Sequence, residues 1–193
     1  MHRSIVIAAI TLAAPLAAQT SPPPVAEQLA AAVLPLPADQ RAGAKVLGYK
    51  TAGKLETIRE GTNGMICLAL YVTRPDFHVA CYHQGLEPFM ARGRELRAQG
   101  VAAARVDSIR SAEVKSGKLK MPAQGVLYQL TGKKAGWDAA NRQATGASSL
   151  TVLYIPFATA ESTGLSTKPS TDGSPWLMEP GTAKAHVMMM GGM

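Results

Sequence analysis

A pair of cysteines on either side of a turn constrains this chain more than any other feature. Met65-Ile66-Cys67-Leu68-Ala69-Leu70-Tyr71-Val72 is an apolar run entered through Thr62-Asn63-Gly64, and Phe77-His78-Val79-Ala80-Cys81-Tyr82 is a second run. An Asn-Gly step tolerates positive φ and marks a turn into a strand. Thr73-Arg74-Pro75-Asp76 separates the two runs, because proline has no N–H to give a ladder and pre-sets turn geometry. A hairpin centred on Arg74 sets Val72 against Asp76, Leu70 against His78 and Cys67 against Cys81. Directly opposed residues of a non-hydrogen-bonded antiparallel pair hold their Cβ atoms at the spacing a disulfide needs. A one-residue slip would spoil that arrangement.

The N-terminus names a compartment in which such a bond persists. Met1-His2-Arg3 is basic, residues 5–14 are apolar but too few to span a bilayer, and Pro15-Leu16-Ala17-Ala18 supplies small residues for cleavage. Residues 1–18 therefore read as a secretory signal peptide cleaved near Ala18, which makes the mature chain periplasmic or secreted. No later stretch reaches about 18 uninterrupted apolar residues, so no transmembrane segment is expected in the mature chain. Cleavage removes Arg3 and lowers the formal net charge of +7 by one. Aromatic residues make up 5% of the chain, so its core must be built from aliphatic residues and methionine.

Residues 19–24 form a proline-rich spacer, expected to be disordered, and residues 25–193 make a single domain. A short helix is expected over Val25–Leu34, with Val25, Leu29, Ala32 and Val33 on its inner face. Strands are expected over Ala44–Lys50 and Lys54–Arg59, continuing into the cysteine hairpin as a four-stranded antiparallel meander. Leu86, Phe89, Met90, Gly93 and Leu96 or Arg97 have the spacing of an amphipathic helix. A second helix over Ala102–Ser116 should turn Val106, Ile109 and Ala112 inward. Gln124–Leu130, Leu150–Ile155 and Lys184–Met190 add strands, and Pro156–Ala183 reads as a long polar loop. The sum is an α+β fold: a mainly antiparallel sheet of about six or seven strands, with two or three helices packed on one face.

Arg59-Glu-Gly-Thr-Asn-Gly64, the cysteine pair, and Pro175-Trp-Leu-Met-Glu-Pro-Gly-Thr182 with His186 before a hydrophobic end resemble a set of uncharacterised secreted bacterial proteins. The likeness spans roughly residues 56–190 and departs at Met65 and Glu179, where similar sequences carry tryptophan. It implies an exported location and one fold, and it brings no known activity.

Catalytic motifs are missing from the sequence. There is no Gly-x-Ser-x-Gly elbow, His-Glu-x-x-His, Cys-x-x-Cys, phosphate loop or dinucleotide fingerprint. Paired cysteines leave no thiolate nucleophile. A hydrolase-type site would have to bring His83, Glu87, Glu161 and His186 within hydrogen-bond reach of one another. On a strand His186, Met188 and Met190 share a face, and imidazole with thioethers suits copper(I). Methionine in an aliphatic core is more often packing than ligand. His83 and Glu87, four residues apart at a helix start, are a second metal-ligand pair to consider.

Arg92, Arg94, Arg97, Arg105, Arg110, Lys115, Lys118 and Lys120 outnumber Glu95, Asp107 and Glu113, so the helices can offer a patch to an anionic envelope polymer or lipid surface. Reversing Arg94, Arg97 and Arg105 should then abolish retention on an anionic matrix at little cost in stability. Nucleic acid is excluded by the compartment and by the lack of interleaved aromatics. The reading that emerges is a non-catalytic binding or structural domain without a required cofactor. Its ligand region is the loop of Glu161 and Trp176 with the strand of His186. Copper binding and hydrolysis are the alternatives.

Overall fold

The computed structural model describes residues 21–70 and 74–191. The signal peptide and the Val72–Asp76 pairing lie outside the described residues. Helix α1 (Val25–Ala32) and the single turn α2 (Ala38–Arg41) lead into strands β1 (Lys45–Thr51), β2 (Lys54–Arg59), β3 (Met65–Leu68) and β4 (Asp76–His83). Helices α3 (Glu87–Ala98) and α4 (Ala103–Lys115) follow. Then come β5 (Gly125–Lys133), the miniature pair β6 (Trp137–Asp138) and β7 (Gln143–Ala144), β8 (Ser148–Tyr154), α5 (Ala160–Thr163), β9 (Trp176–Met178) and β10 (His186–Met190). Eight strands form one sheet in the order β2-β1-β3-β4-β5-β8-β10-β9. Every neighbouring pair is antiparallel except β1 and β3, which are parallel.

The fold is α+β, as expected, with a sheet larger than six or seven strands. The eighth strand is β9, taken from the stretch that reads as loop. Two further expectations are corrected. The first four strands are not a meander, because β1 lies between β2 and β3. The chain leaves β2 and crosses the start of β1 at Gly61, where any Cβ would overlap the Lys45 backbone nitrogen. The crossing is tied down by Thr62 and Asn63, whose N–H groups donate to the Gly43 carbonyl at 2.7 and 3.2 Å. The Asn63 amide donates to Gln40 O at 2.7 Å, and the Arg59 guanidinium donates to the carbonyls of Ala44 and Arg41. The Arg59–Gly64 motif is thus a clamp on backbone.

Helices also cover both faces of the sheet. Side chains alternate along β4, so Phe77, Val79 and Cys81 point one way and Ala80 and Tyr82 the other. On the first face α1 packs Ala32 and Val33 over Cys67, Cys81 and Val46, while Ala31 joins Phe77 and Val79. Trp137 stacks on Phe77 there, with ring centroids 5.4 Å apart. On the second face Leu86 and Met90 pack with Ile66, Tyr82 and Leu127. Two faces are needed because the central strands are apolar on both sides, the pattern of a sheet covered twice.

Cys67 and Cys81 are directly opposed in register and joined by a disulfide, fully buried at the centre of the sheet. The register matches a hairpin centred on Arg74, but β3 stops at Leu68 and Leu70 does not face His78. Leu70 instead packs with Phe77 and Val79, the apolar face of β4.

The early end of β3 leaves β1 partly unpaired beyond Leu47, and α1 supplies the missing partner. Gln28, only 2% exposed, lies on the inner face of α1, whereas Val25 is out in solvent. The Gln28 amide donates to Tyr49 O at 2.7 Å and its carbonyl oxygen accepts from Tyr49 N at 2.8 Å. A side-chain amide so takes the place of the next residue of β3. Close approach requires Gly48, where a Cβ would stand 2.7 Å from Gln28 Oε1 and 2.5 Å from Ile58 Cδ1. The inner stripe of α4 is corrected too. Val106 and Arg110 are buried while Ala112 is exposed. Arg110 lays its guanidinium 3.9 Å over the Phe89 ring and donates to Phe89 O and Asp107.

Two stability effects follow from these contacts. Gln28→Ala removes both hydrogen bonds from the Gln28 amide to the part-buried Tyr49 backbone and should cost about 1–3 kcal/mol, read as a lower urea midpoint at unchanged slope. Cys67→Ser opens a loop of sequence separation 14 and should cost roughly 3 kcal/mol. The double serine variant should be no worse than the single one, since the bond is already gone. Intact masses measured with and without reduction before alkylation will show whether the unmodified protein carries the bond.

Candidate metal centre on the C-terminal strand pair

The far edge of the sheet gathers the residue types that bind soft metals. In β10 the side chains of His186, Met188 and Met190 fall on one face and those of Val187 and Met189 on the other. Strand β9 runs antiparallel beside it, with Met178 opposite His186, Leu177 opposite Val187 and Trp176 opposite Met188. Opposed residues share a face. His186, Met178, Met188 and Trp176 therefore form a two-by-two array on the α3/α4 face, with Tyr154 and Val152 of β8 on its inner side. His186 and Trp176 are buried, at 9% and 6% exposed, Met188 is half-buried, and Met178 opens to solvent at 37%.

The loop between the two strands is stapled at several points. Thr182 Oγ1 donates to Glu179 O and accepts from Lys184 N, while Gly181 N donates to Ala158 O and Ile155 N to Ala185 O. It sets the orientation of His186. Nδ1 of the ring lies 2.6 Å from the Lys184 carbonyl oxygen. A carbonyl only accepts, so in the neutral ring Nδ1 carries the proton and Nε2 the lone pair. Nε2 has no hydrogen-bond partner among the described residues. The ring lies tilted beside Tyr154, with centroids 5.4 Å apart. Burial raises the Tyr154 phenol above its ordinary pKa, and Lys184 and Arg110 oppose that rise only in part.

Lys184 is itself held between two carboxylates, 2.9 Å from Asp107 on α4 and 2.8 Å from Glu179. Asp107 also takes Arg110. Burial works against the charge on Asp107, but the hydrogen bonds from Lys184 and Arg110 win and its pKa falls below 3.8. Burial likewise works against Lys184, and its two carboxylates hold its pKa above 10.5. This chain of charges pins the helix pair to the loop that carries the His186 acceptor.

The structure brings together His186, Met188 and Trp176 from the residues singled out in the sequence, with Met190 exposed at the strand end. It does not bring His83 or Glu87 to them. His83 follows Tyr82 on β4 and belongs to the opposite face, and β4 is three strand spacings from β10, about 14 Å. Its Nδ1 accepts from Gly85 N. Glu87 is not aimed at His83. Its carboxylate accepts from the buried Tyr82 hydroxyl and from Arg94, both at 2.6 Å, and Arg94 also donates to Tyr82. Burial, foremost, pushes the Tyr82 phenol far up, so it stays a donor. The cleft of about 420 Å3 beside Glu87, lined also by Lys45, Gly64 and Gln84, thus meets a carboxylate that is already engaged. Glu161 is exposed in the first turn of α5, its carboxyl held low by a backbone N–H and Thr159.

Met178 is the site residue that the sequence reading missed. The signal was present: Trp176 and Met178 alternate as His186 and Met188 do, and Pro180-Gly181 marks a turn between them. Among the described residues no group of three His, Cys, Asp or Glu side chains is placed to hold a metal ion. The donors gathered here are thioethers and one imidazole. The basic patch is also reshaped. Arg92 is bidentate on Glu113, Arg94 closes the Tyr82–Glu87 triad and Arg110 is buried. Reversing Arg94 would break that triad and cost stability, contrary to expectation. Arg97, Arg105, Lys115, Lys118 and Lys120 are exposed. No helix among the described residues is long and apolar enough to cross a membrane. Comparisons with known proteins find no matching family model, curated protein or solved structure.

The charge network predicts a pH dependence. A carboxyl whose folded pKa is lowered contributes stability above its unfolded value and loses it as pH falls through the folded one. For Asp107 that loss begins below the ordinary value of 3.8. Asp107→Asn should lower the melting temperature at pH 7 and flatten its decline between that value and lower pH. Melting curves of the two proteins that run parallel across the acid range would show that the network contributes nothing.

Proposed function

We propose that this chain is an exported, non-catalytic domain that binds a soft monovalent metal ion, copper(I), through His186, Met188 and Met178. The observation that carries the reading is the β9–β10 register, which sets a thioether opposite the histidine and another two residues along on the same face. Nε2 of His186 is left with its lone pair by the Nδ1 bond to Lys184 O, the arrangement in which a second hydrogen bond fixes the tautomer of a ligating imidazole. All three donors are neutral and two are soft thioethers, which suits copper(I) over magnesium or calcium. The signal-peptide reading and the buried disulfide fit the periplasm, an oxidising compartment outside the cytosol. The hydrolase reading is disfavoured because His83 lies on the opposite face from His186 and Glu87 is engaged by Tyr82 and Arg94.

The test is a copper(I) competition titration with a chromogenic chelator, reduced with ascorbate. Thiol reductants are to be avoided, because opening Cys67–Cys81 would create two thiolates that bind copper(I) themselves. One site is expected, abolished by His186→Ala and weakened roughly tenfold or more by Met178→Ala or Met188→Ala. Binding no tighter than about micromolar would overturn the proposal.

A further inference from the structure

Trp176 is a large side chain on an edge strand, buried to 6% exposure, and its indole N–H has no hydrogen-bond partner among the described residues. A buried tryptophan N–H is ordinarily paired, because leaving it unpaired sacrifices hydration without replacement. Packing alone can account for the burial of the ring. It does not explain why a tryptophan, with its polar atom, stands where phenylalanine or leucine would pack without an orphan donor. What distinguishes indole from those residues is the strongest quadrupole of any side chain, which attracts a cation to the ring face.

The register places that ring where a cation would be. Trp176 is the direct partner of Met188, and Met178 and His186 are the next pair along the same face. Three neutral donors leave the full positive charge of a monovalent ion uncompensated. The formal charges nearby cancel among themselves, since Asp107 and Glu179 are matched by Arg110 and Lys184. We infer that the indole of Trp176 caps the metal held by His186, Met178 and Met188, as a cation–π face in place of a fourth donor atom. The inference rests on the soft-metal reading and sharpens it. A π face rewards a soft monovalent ion and offers no lone pair to copper(II) or zinc, which prefer a further nitrogen, oxygen or thiolate ligand. The array is therefore selective for copper(I) and its closed-shell analogue silver(I).

Silver(I) provides the test, because it is redox-inert and leaves the disulfide alone. In a Trp137→Phe background, in chloride-free buffer, Trp176 is the only tryptophan. Its emission should fall in step with silver(I) occupancy and level off at one equivalent, with no change on adding zinc. Trp176→Leu removes the π face and should weaken silver(I) binding roughly fivefold to thirtyfold, the range of a partly desolvated cation–π contact. Trp176→Met supplies a thioether at the same position and should return the affinity at least to that of the unmodified protein. The rescue separates a contact with the metal from a mere loss of packing. Silver(I) bound at one His186-dependent site, with Trp176 emission unchanged and Trp176→Leu as tight as the unmodified protein, would overturn the cap and leave the three-donor site standing. No silver(I) or copper(I) bound at all would overturn both.

Discussion

The passage of the chain across the start of β1 is the constraint on which the rest of the sheet depends. β2 and β3 are consecutive in sequence but lie on opposite sides of β1. A short connection can manage this only by running over the strand end with nothing in the way, and Gly61 provides the clearance. Once the crossing is made, β3 is parallel to β1 and its outer edge is free for β4. The cysteines then meet in register, and β4 presents its other edge to the long antiparallel series β5, β8, β10 and β9. A side chain at Gly61 would displace β3, and the disulfide would lose its geometry with it. The Arg59–Gly64 segment acts on backbone: N–H groups of Arg59, Thr62 and Asn63 donate to carbonyls of residues 40–44.

Several buried polar side chains are likewise held by partners distant in sequence. Gln28 substitutes for strand backbone, and Tyr82, Glu87 and Arg94 satisfy one another. Arg110 has an aromatic ring beneath it and a carboxylate beside it. Buried charge costs free energy unless it is paired and hydrogen-bonded. Charges that a sequence reading counts as a solvated basic patch are therefore partly the glue between α3, α4 and the sheet.

These cases show what was legible in the sequence and what was not. Hydrophobic period and turn residues located most strands, the two long helices and the cysteine register, because those depend on neighbours close in the chain. The pairing of β1 with β3 was hidden, since parallel and antiparallel neighbours bury the same residues. Gln28 and Arg110 were hidden because amphipathic patterns count polar residues as outward. Each lies inside because of a partner distant in sequence, Tyr49 for the one and Phe89 for the other. Strand β9 was hidden by its length: three residues set among serine, threonine, proline and glycine carry too little alternation to be read. Met178 went with it. His186 and Met188 were visible as one face of a strand and Trp176 as an aromatic in the loop beside them, whereas Met178 became their partner only when the edge was paired.

The edge position also explains why such a site can exist without disturbing the core. Strand β9 is only three residues long and lies at the sheet edge beside β10, yet it buries Trp176 and Leu177. Val187 and Leu177 secure the pair on the inner face of the ladder, both buried. On the opposite face His186 and Trp176 are buried as well, and Met178 is the exposed member of the array. Met178 reaches solvent while His186 is buried and oriented by a carbonyl, so one donor is accessible and another is fixed. In the proposed site a metal entering from solvent would meet the exposed Met178 thioether before the buried His186 imidazole. That order suits a site that must take up its ion and release it again, because a ligand exposed on an edge can exchange without opening the fold.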